Sequence, residues 1–320
     1  MIYSDGDYER DLLGDGFQQR RLNYADDYEG EVIATLVRKK SEIPSVKAVL
    51  YVHGFNDYFF QDQMAQRFNG AAYNFYALDL RKYGRSLLAH QKMNNVHSLL
   101  EYDEEINEAL QIIKSENNME VLLMGHSTGG LILTNYAGRN LRSTLFHGLI
   151  CNSPFYEFNL NGIERNLGVP LLSFLSRFLP NLLISGGFSK LYGYSLHRQK
   201  YGEWNYLLNW KPHDIPKVTL SFINAIRTAH KSIQNKLTLD VPTLVLYSSQ
   251  SVNDKKWSER FMKGDAVLNV KHIAYYANQL NGNITNCEIE NGMHDLVLSQ
   301  KSVRETVYRE MFEWIDLNFR

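Results

Sequence analysis

The sequence predicts an α/β protein, a mostly parallel sheet with helices on both faces and an inserted, mainly helical cap. Three observations carry this expectation. Short apolar runs alternate with amphipathic helical patterns along most of the chain, as strands buried beneath helices should. The alternation stops over residues 154–239 and then resumes. With 320 residues, 44% of them hydrophobic and 22% charged, the chain can bury a large core without disulfide or metal support.

The first part of the core, residues 1–153, opens on a predicted hairpin, Phe17 to Tyr24 and Glu31 to Arg38, around the turn-rich Ala25 to Gly30. Buried strands are expected at Val46 to Val52, Tyr73 to Leu78, Glu120 to Met124 and Leu145 to Cys151. The second part, residues 240–320, adds Val241 to Tyr247 and Ile284 to Ile289. Between them, apolar residues recur at helical spacing: Phe60, Met64 and Phe68; Leu99, Ile106, Leu110 and Ile113; Val270, Ile273, Ala277 and Leu280; Val303, Val307, Met311 and Trp314. These stripes read as core. The cap, 154–239, holds aromatics and Leu-rich helical pieces and no clear buried strand. Its greasiest stretch, Leu167 to Ile184, is broken by Pro170, Arg177 and Pro180, so it reads as part of a folded domain and not as a membrane span.

Charge excludes some partners. Lys and Arg total 34 against 35 Asp and Glu, a net charge of −1, and no run of like charges is long enough to attract a phosphate polymer or an anionic bilayer. Nucleic acid is not expected as a partner. Met1 to Asp15 is acidic and polar and lacks the basic then apolar pattern of an export signal. Cys151 and Cys287 each lie in an apolar, strand-like stretch, so a disulfide framework is not indicated and a reducing, cytoplasmic setting is expected.

One motif stands out for its context. Gly125-His126-Ser127-Thr128-Gly129 follows the apolar Val121-Leu122-Leu123-Met124 and precedes the helical Gly130-Leu131-Ile132-Leu133. A serine at a sharp strand-to-helix turn projects its hydroxyl from the sheet edge. The flanking glycines avoid clashes with neighbouring backbone, and the helix N-terminus favours developing negative charge. A second motif, His53-Gly54-Phe55, directly follows the strand Val46 to Val52.

With these two motifs in this order, the chain resembles the α/β-hydrolase superfamily, most of all its lysophospholipase, monoacylglycerol lipase and serine aminopeptidase branch. Leu78-Asp79-Leu80-Arg81-Lys82-Tyr83-Gly84-Arg85-Ser86 is similar to that branch's Asp-Leu-Arg-Gly-His-Gly-Arg-Ser segment, with Lys82 and Tyr83 in place of Gly and His. The resemblance runs from about Phe17 to the C-terminus. It implies Ser127 as nucleophile and the backbone amides of Phe55 and Thr128 as oxyanion donors, with the His53 side chain holding the loop. Asp79 and Arg81 are expected to be structural.

The order that the resemblance implies is serine, acid, histidine. His294, in Asn291-Gly292-Met293-His294-Asp295, alone among ten histidines sits just beyond a C-terminal strand. His272 falls in a predicted helix, and His197, His213 and His230 lie in or near the cap, where structural roles are the expectation. For the acid, Asp254 follows the strand Val241 to Tyr247 more closely, whereas Asp265-Ala266-Val267-Leu268 resembles the family's acid motif, an Asp, any residue, then two apolar residues. Asp265 is favoured, with Gln250 to Gly264 as a loop insertion. Asp295 adjoins His294 and reads as a helix cap.

No His-Glu-x-x-His pattern, paired-cysteine motif or glycine-rich phosphate loop occurs, so neither metal nor cofactor is expected. The resemblance implies cleavage of an acyl ester through an acyl-enzyme, on a small-molecule or lipid-like substrate such as a monoacyl lipid or lysophospholipid. Val169 to Leu175, with Phe178 and Leu179, either roofs an acyl chain or simply packs on the core. Two alternatives stay open. One is a proline-type aminopeptidase whose substrate amine is held by Glu157, Glu164 or Glu203; the other is a non-catalytic ligand-binding protein of the same fold. The oligomeric state is not indicated.

Overall fold

In the computed structural model the structure describes residues 7–319. The N-terminal reading made on Met1 to Asp15 therefore falls partly outside the described residues. A short strand, β1 (Glu9–Arg10), and the hairpin β2 (Gln18–Asp27) and β3 (Gly30–Lys39) open the sheet. The hairpin pairs through Asp27 and Gly30, so its turn is tighter than the predicted one. Then come β4 (Lys47–Val52), α1 (Asp62–Gly70), β5 (Asn74–Asp79), α2 (Tyr102–Ser115), β6 (Glu120–His126), α3 (Thr128–Arg139) and β7 (Gly148–Asn152).

The chain next leaves the main sheet. It forms α4 (Val169–Leu175), β8 (Leu183–Ile184), α5 (Leu191–Leu196), β9 (Val218–Thr219) and α6 (Leu220–Gln234), with β8 and β9 paired as a small antiparallel ribbon. Both β9 residues are buried, a detail that residues 154–239 did not advertise. β10 (Thr243–Ser248), α7 (Val270–Ala277), β11 (Ile284–Ile289) and α8 (Lys301–Asn318) complete the fold.

The main sheet has the order β1-β2-β3-β5-β4-β6-β7-β10-β11. The pairs from β1 to β5 along that order are antiparallel, and every pair from β5 through β11 is parallel. Side chains alternate across β4: Ala48, Leu50 and Val52 join one apolar cluster with α2, α3, α6 and α7, while Val49 and Tyr51 join another with α1 and α8. One strand departs from expectation. β11 is an edge of the sheet, pairing among the described residues only with β10, and only Ile289 in it is buried. Phe60 is buried but precedes α1, and α7 ends at Ala277, before Leu280.

The chain runs from β4 to β5 on one side and returns to β6 on the other. The crevice beyond the carboxyl ends of β4 and β6 is therefore a topological switch point. Val52 and Gly125 are paired there, so the segments after them, His53-Gly54-Phe55 and His126-Ser127-Thr128, emerge side by side.

Candidate active site

Ser127 sits between β6 and α3 with φ 51° and ψ −113°, a conformation that L-residues rarely adopt and that costs on the order of 1–3 kcal/mol. Its surroundings hold it there. Its N–H donates to the Asn152 carbonyl at 2.9 Å, and its own carbonyl accepts from Leu131 and Phe155. The neighbouring glycines are needed for close approach: a Cβ on Gly129 would run into the carbonyl oxygens of Val52 and His53, and one on Gly125 would lie 2.6 Å from the Gly129 backbone. Gly54 packs against Ser127 in the same way, with a Cβ there only 3.1 Å from the serine's own.

His294 Nε2 lies 3.0 Å from Ser127 Oγ, and His294 Nδ1 lies 2.8 Å from Asp265 Oδ2. All three side chains are buried, and the carboxylate is fully enclosed. The other oxygen of Asp265 accepts the Val267 and Leu268 amides at 2.8 and 2.7 Å, which fixes its plane toward the imidazole. Asp254 is elsewhere, bonded to Ser258 and Arg260. The turn that carries His294 takes its positive φ (57°) at Asn291; a Cβ at Gly292 would lie 2.5 Å from a Leu296 methyl group.

The Phe55 and Thr128 amides, the expected oxyanion donors, donate to no acceptor among the described residues. The His53 ring anchors the loop: it accepts the Leu80 amide on Nε2 at 3.2 Å, so Nδ1 donates to the Gly54 carbonyl at 2.8 Å. Asp79 holds the Phe59 and Arg85 amides and the Arg85 guanidinium, while Arg81 pairs with buried Glu105. Lys82, in place of the family's glycine, is buried against Asp27 and Glu29 at 2.6 and 2.9 Å.

A network behind His294 has no counterpart in the motifs. Asp295 is not a side-chain helix cap. Its carboxylate accepts from Asn152 Nδ2 at 2.7 Å and Gln61 Nε2 at 3.1 Å, and its amide donates to the Tyr192 hydroxyl. The His126 ring lies 4.8 Å from that of His294, and burial pushes its pKa below the usual histidine value. Asp57, His126 and Asp295 have donor atoms within 4.8 Å of one another, close enough to face a cation. The ammonium of Lys211, 2.8 Å from Asp57, already supplies a positive charge to that cluster.

Two cavities flank Ser127. One, about 330 Å³, is lined by Phe158, Leu172, Ile184, Phe188, Phe222 and Ile226 and opens on Phe55, Ser127 and Thr128. The other, about 40 Å³, has a mixed lining that includes Asp57, His126, Tyr206, Lys211 and His294. Of the apolar residues expected to roof an acyl chain, Val169 and Leu172 face the large cavity, whereas Leu171, Phe174, Phe178 and Leu179 are exposed. His272 bonds Arg165, His197 bonds the Tyr206 carbonyl, His213 lines the smaller cavity, and His230 donates to the Phe155 carbonyl. Glu157 is committed to Gln234 and Tyr276, Glu203 to Arg304, and Glu164 lines the large cavity.

A parallel sheet with an inserted helical segment, and a strained serine in hydrogen-bonding reach of a histidine, define an α/β-hydrolase architecture. The chain belongs to the serine aminopeptidase S33 family, whose model matches residues 44–280. Solved structures share the fold. The monoacylglycerol lipase of Paleococcus ferrophilus aligns at 19% identity and a TM-score of 0.66, over 88% of this chain and 99% of that one. A soluble variant of monoglyceride lipase from Saccharomyces cerevisiae, in complex with a substrate analog, aligns at 16% and 0.63 over 93% and 94%. A thermophilic esterase from Thermogutta terrifontis aligns at 17% and 0.58 over 94% and 100%. No curated protein matches the sequence.

Proposed function

We propose that the protein is a serine hydrolase of acyl esters. The observation that carries this reading is the continuous chain Ser127, His294, Asp265, at 3.0 and 2.8 Å, ending at a large apolar cavity. In this reading His294 takes the Ser127 proton as Oγ attacks the acyl carbonyl, and Asp265 holds the tautomer and stabilises the imidazolium. The Phe55 and Thr128 amides receive the oxyanion. Collapse expels the alcohol, whose oxygen takes the proton from His294, and water activated by the neutral His294 then releases the acid and frees Ser127. Residues 154–239 act as the cap over this reaction.

The cavity's size falls in the ordinary range of small-molecule pockets, about 300–1,000 Å³, and its apolar lining suits an acyl chain. A monoacyl lipid or lysophospholipid is therefore the proposed substrate class, in line with the lipases named among the structural neighbours. A cytoplasmic setting is part of the proposal, supported by two free cysteines. Among the described residues no helix is long and apolar enough to cross a membrane.

The aminopeptidase alternative is favoured by the family's description and by Glu164 at the cavity, and weakened by the engagement of Glu157 and Glu203. A fluorophosphonate probe and a panel of nitrophenyl esters, lysolipids and proline naphthylamide, run on wild type and Ser127→Ala, test the proposal. Labelling and turnover lost together in the variant are expected, with octanoyl ester cleaved better than acetyl. Full esterase activity in Ser127→Ala would sink it, and proline naphthylamide turned over as fast as the best ester would reverse the ranking.

A further inference from the structure

The segment Ile163 to Phe178 is apolar on two sides. It is helical from Glu164 through Leu175, and Ile163, Leu167, Leu171, Phe174 and Phe178 follow at intervals of four, four, three and four, which places them on one face. That face points outward: these residues are 76%, 69%, 57%, 52% and 69% exposed. Val169, Ser173 and Ser176, on the other side, are buried. A helix apolar on both sides expects a partner on each, and five large exposed side chains in sixteen residues are far beyond scattered surface leucines.

Cations frame the patch. Arg177 lies over the Phe174 ring, and Arg227 and Lys231 from α6 share a surface groove with both. Arg165 shares a second groove with Arg227 and Lys231. None of the four ion-pairs with an Asp or Glu among the described residues. The asymmetry extends to the whole segment. Residues 154–239 hold ten Lys and Arg against four Asp and Glu, a charge of +6, so the rest of the chain, with 24 against 31, carries −7. No like-charge run in the sequence announces this, because α4 and α6 bring together residues some fifty positions apart.

We propose that this outer face docks on a lipid bilayer bearing anionic headgroups. The apolar row enters the headgroup and acyl boundary, and Arg165, Arg177, Arg227 and Lys231 meet the phosphates around it. A second copy of the chain suits the face less well, since it would press two cationic rims together. The inference goes beyond the chemistry at Ser127 and does not depend on it.

The test is cosedimentation of wild type and Ser127→Ala with phosphatidylcholine vesicles, with and without phosphatidylglycerol. Binding should be at least about tenfold tighter to the anionic vesicles and should weaken with salt. Leu167→Ser with Phe174→Ser and Phe178→Ser should abolish binding to both, and Arg227→Glu with Lys231→Glu should abolish the anionic preference. Unchanged melting temperatures would show that both variants fold, so a protein inactive on esters still tests docking. Absence of vesicle binding, equal binding to both vesicles, or a concentration-dependent dimer lost in the triple variant in place of binding would overturn the proposal.

Discussion

Two aspartates follow β10, and their surroundings separate them. Asp265 is fully buried and divides its oxygens between two amides and His294, whereas Asp254 is partly exposed on a loop with Arg260. Replacing Asp265 by Asn keeps an oxygen for the Val267 and Leu268 amides but turns a donor toward His294 Nδ1, forcing the wrong tautomer. Asp265→Asn is therefore expected to lose up to about 10⁴ in turnover with near-normal thermal stability. Asp254→Asn should change turnover by less than about tenfold. Steady-state rates and melts of the two variants check this, and the opposite ranking would move the acid to Asp254. The meeting of Ser127, His294 and Asp265 was legible because each sits in a local signal: a glycine-framed turn, a loop after the last strand, an acid before an apolar pair. Asn152, Gln61 and Tyr192 carry no such signal. They reach Asp295 from 143, 234 and 103 positions away, a juxtaposition that only the folded sheet creates.

At the scale of elements, two packings set what the chain tolerates. α3 starts against the end of β4 so closely that Gly129 touches the Val52 and His53 carbonyls. Gly129→Ala should thus push these segments apart and cost about 3 kcal/mol or more, read as a large fall in melting temperature. A melt within a degree of wild type would mean that the contact yields. α6 buries His230 against Phe155 and Phe158, with Nε2–H on the Phe155 carbonyl and Nδ1 unpartnered. Glu157, 3.9 Å from Nδ1, is occupied by Gln234 and Tyr276, so burial dominates and pushes the His230 pKa down to about 3. Unfolded, the same ring takes a proton near its ordinary value of 6.5, so stability is lost as pH falls from there toward 3. Wild type should weaken more steeply than His230→Gln across that window, by up to about 1.4 kcal/mol per pH unit. Parallel denaturant titrations at a series of pH values measure it, and equal slopes would show that the ring protonates in place. Strand positions were legible from apolar runs, but the half-exposure of β11 was not, since edge or centre depends on strand order.

Across the whole molecule, the large cavity belongs to neither the sheet nor the inserted segment alone. The loops after β4 and β6 line it through Phe55, Ser127 and Thr128, and residues 154–239 line it through Leu172, Ile184, Phe222 and Ile226. Composition could not reveal this, because residues of the same types, leucine and phenylalanine, also form the outward row; which face each takes is decided by helix phase against the core. If the cavity holds the acyl chain, bulk added to the walls that residues 154–239 supply should shorten the chain it accepts without touching the reacting groups. Leu172 is half-buried on α4, away from Ser127 in sequence, and its apolar side chain lines the cavity, which makes it the position to fill. Leu172→Trp is expected to cut kcat/KM for octanoyl and longer esters by more than about tenfold, the scale of 1.4 kcal/mol, while acetyl ester hydrolysis stays within about twofold. The comparison internally controls for folding, since a misfolded variant would lose both substrates together. An even loss at every chain length, or a loss confined to acetyl ester, would mean that the acyl group lies elsewhere, and the smaller cavity beside Ser127 would then be the place to look.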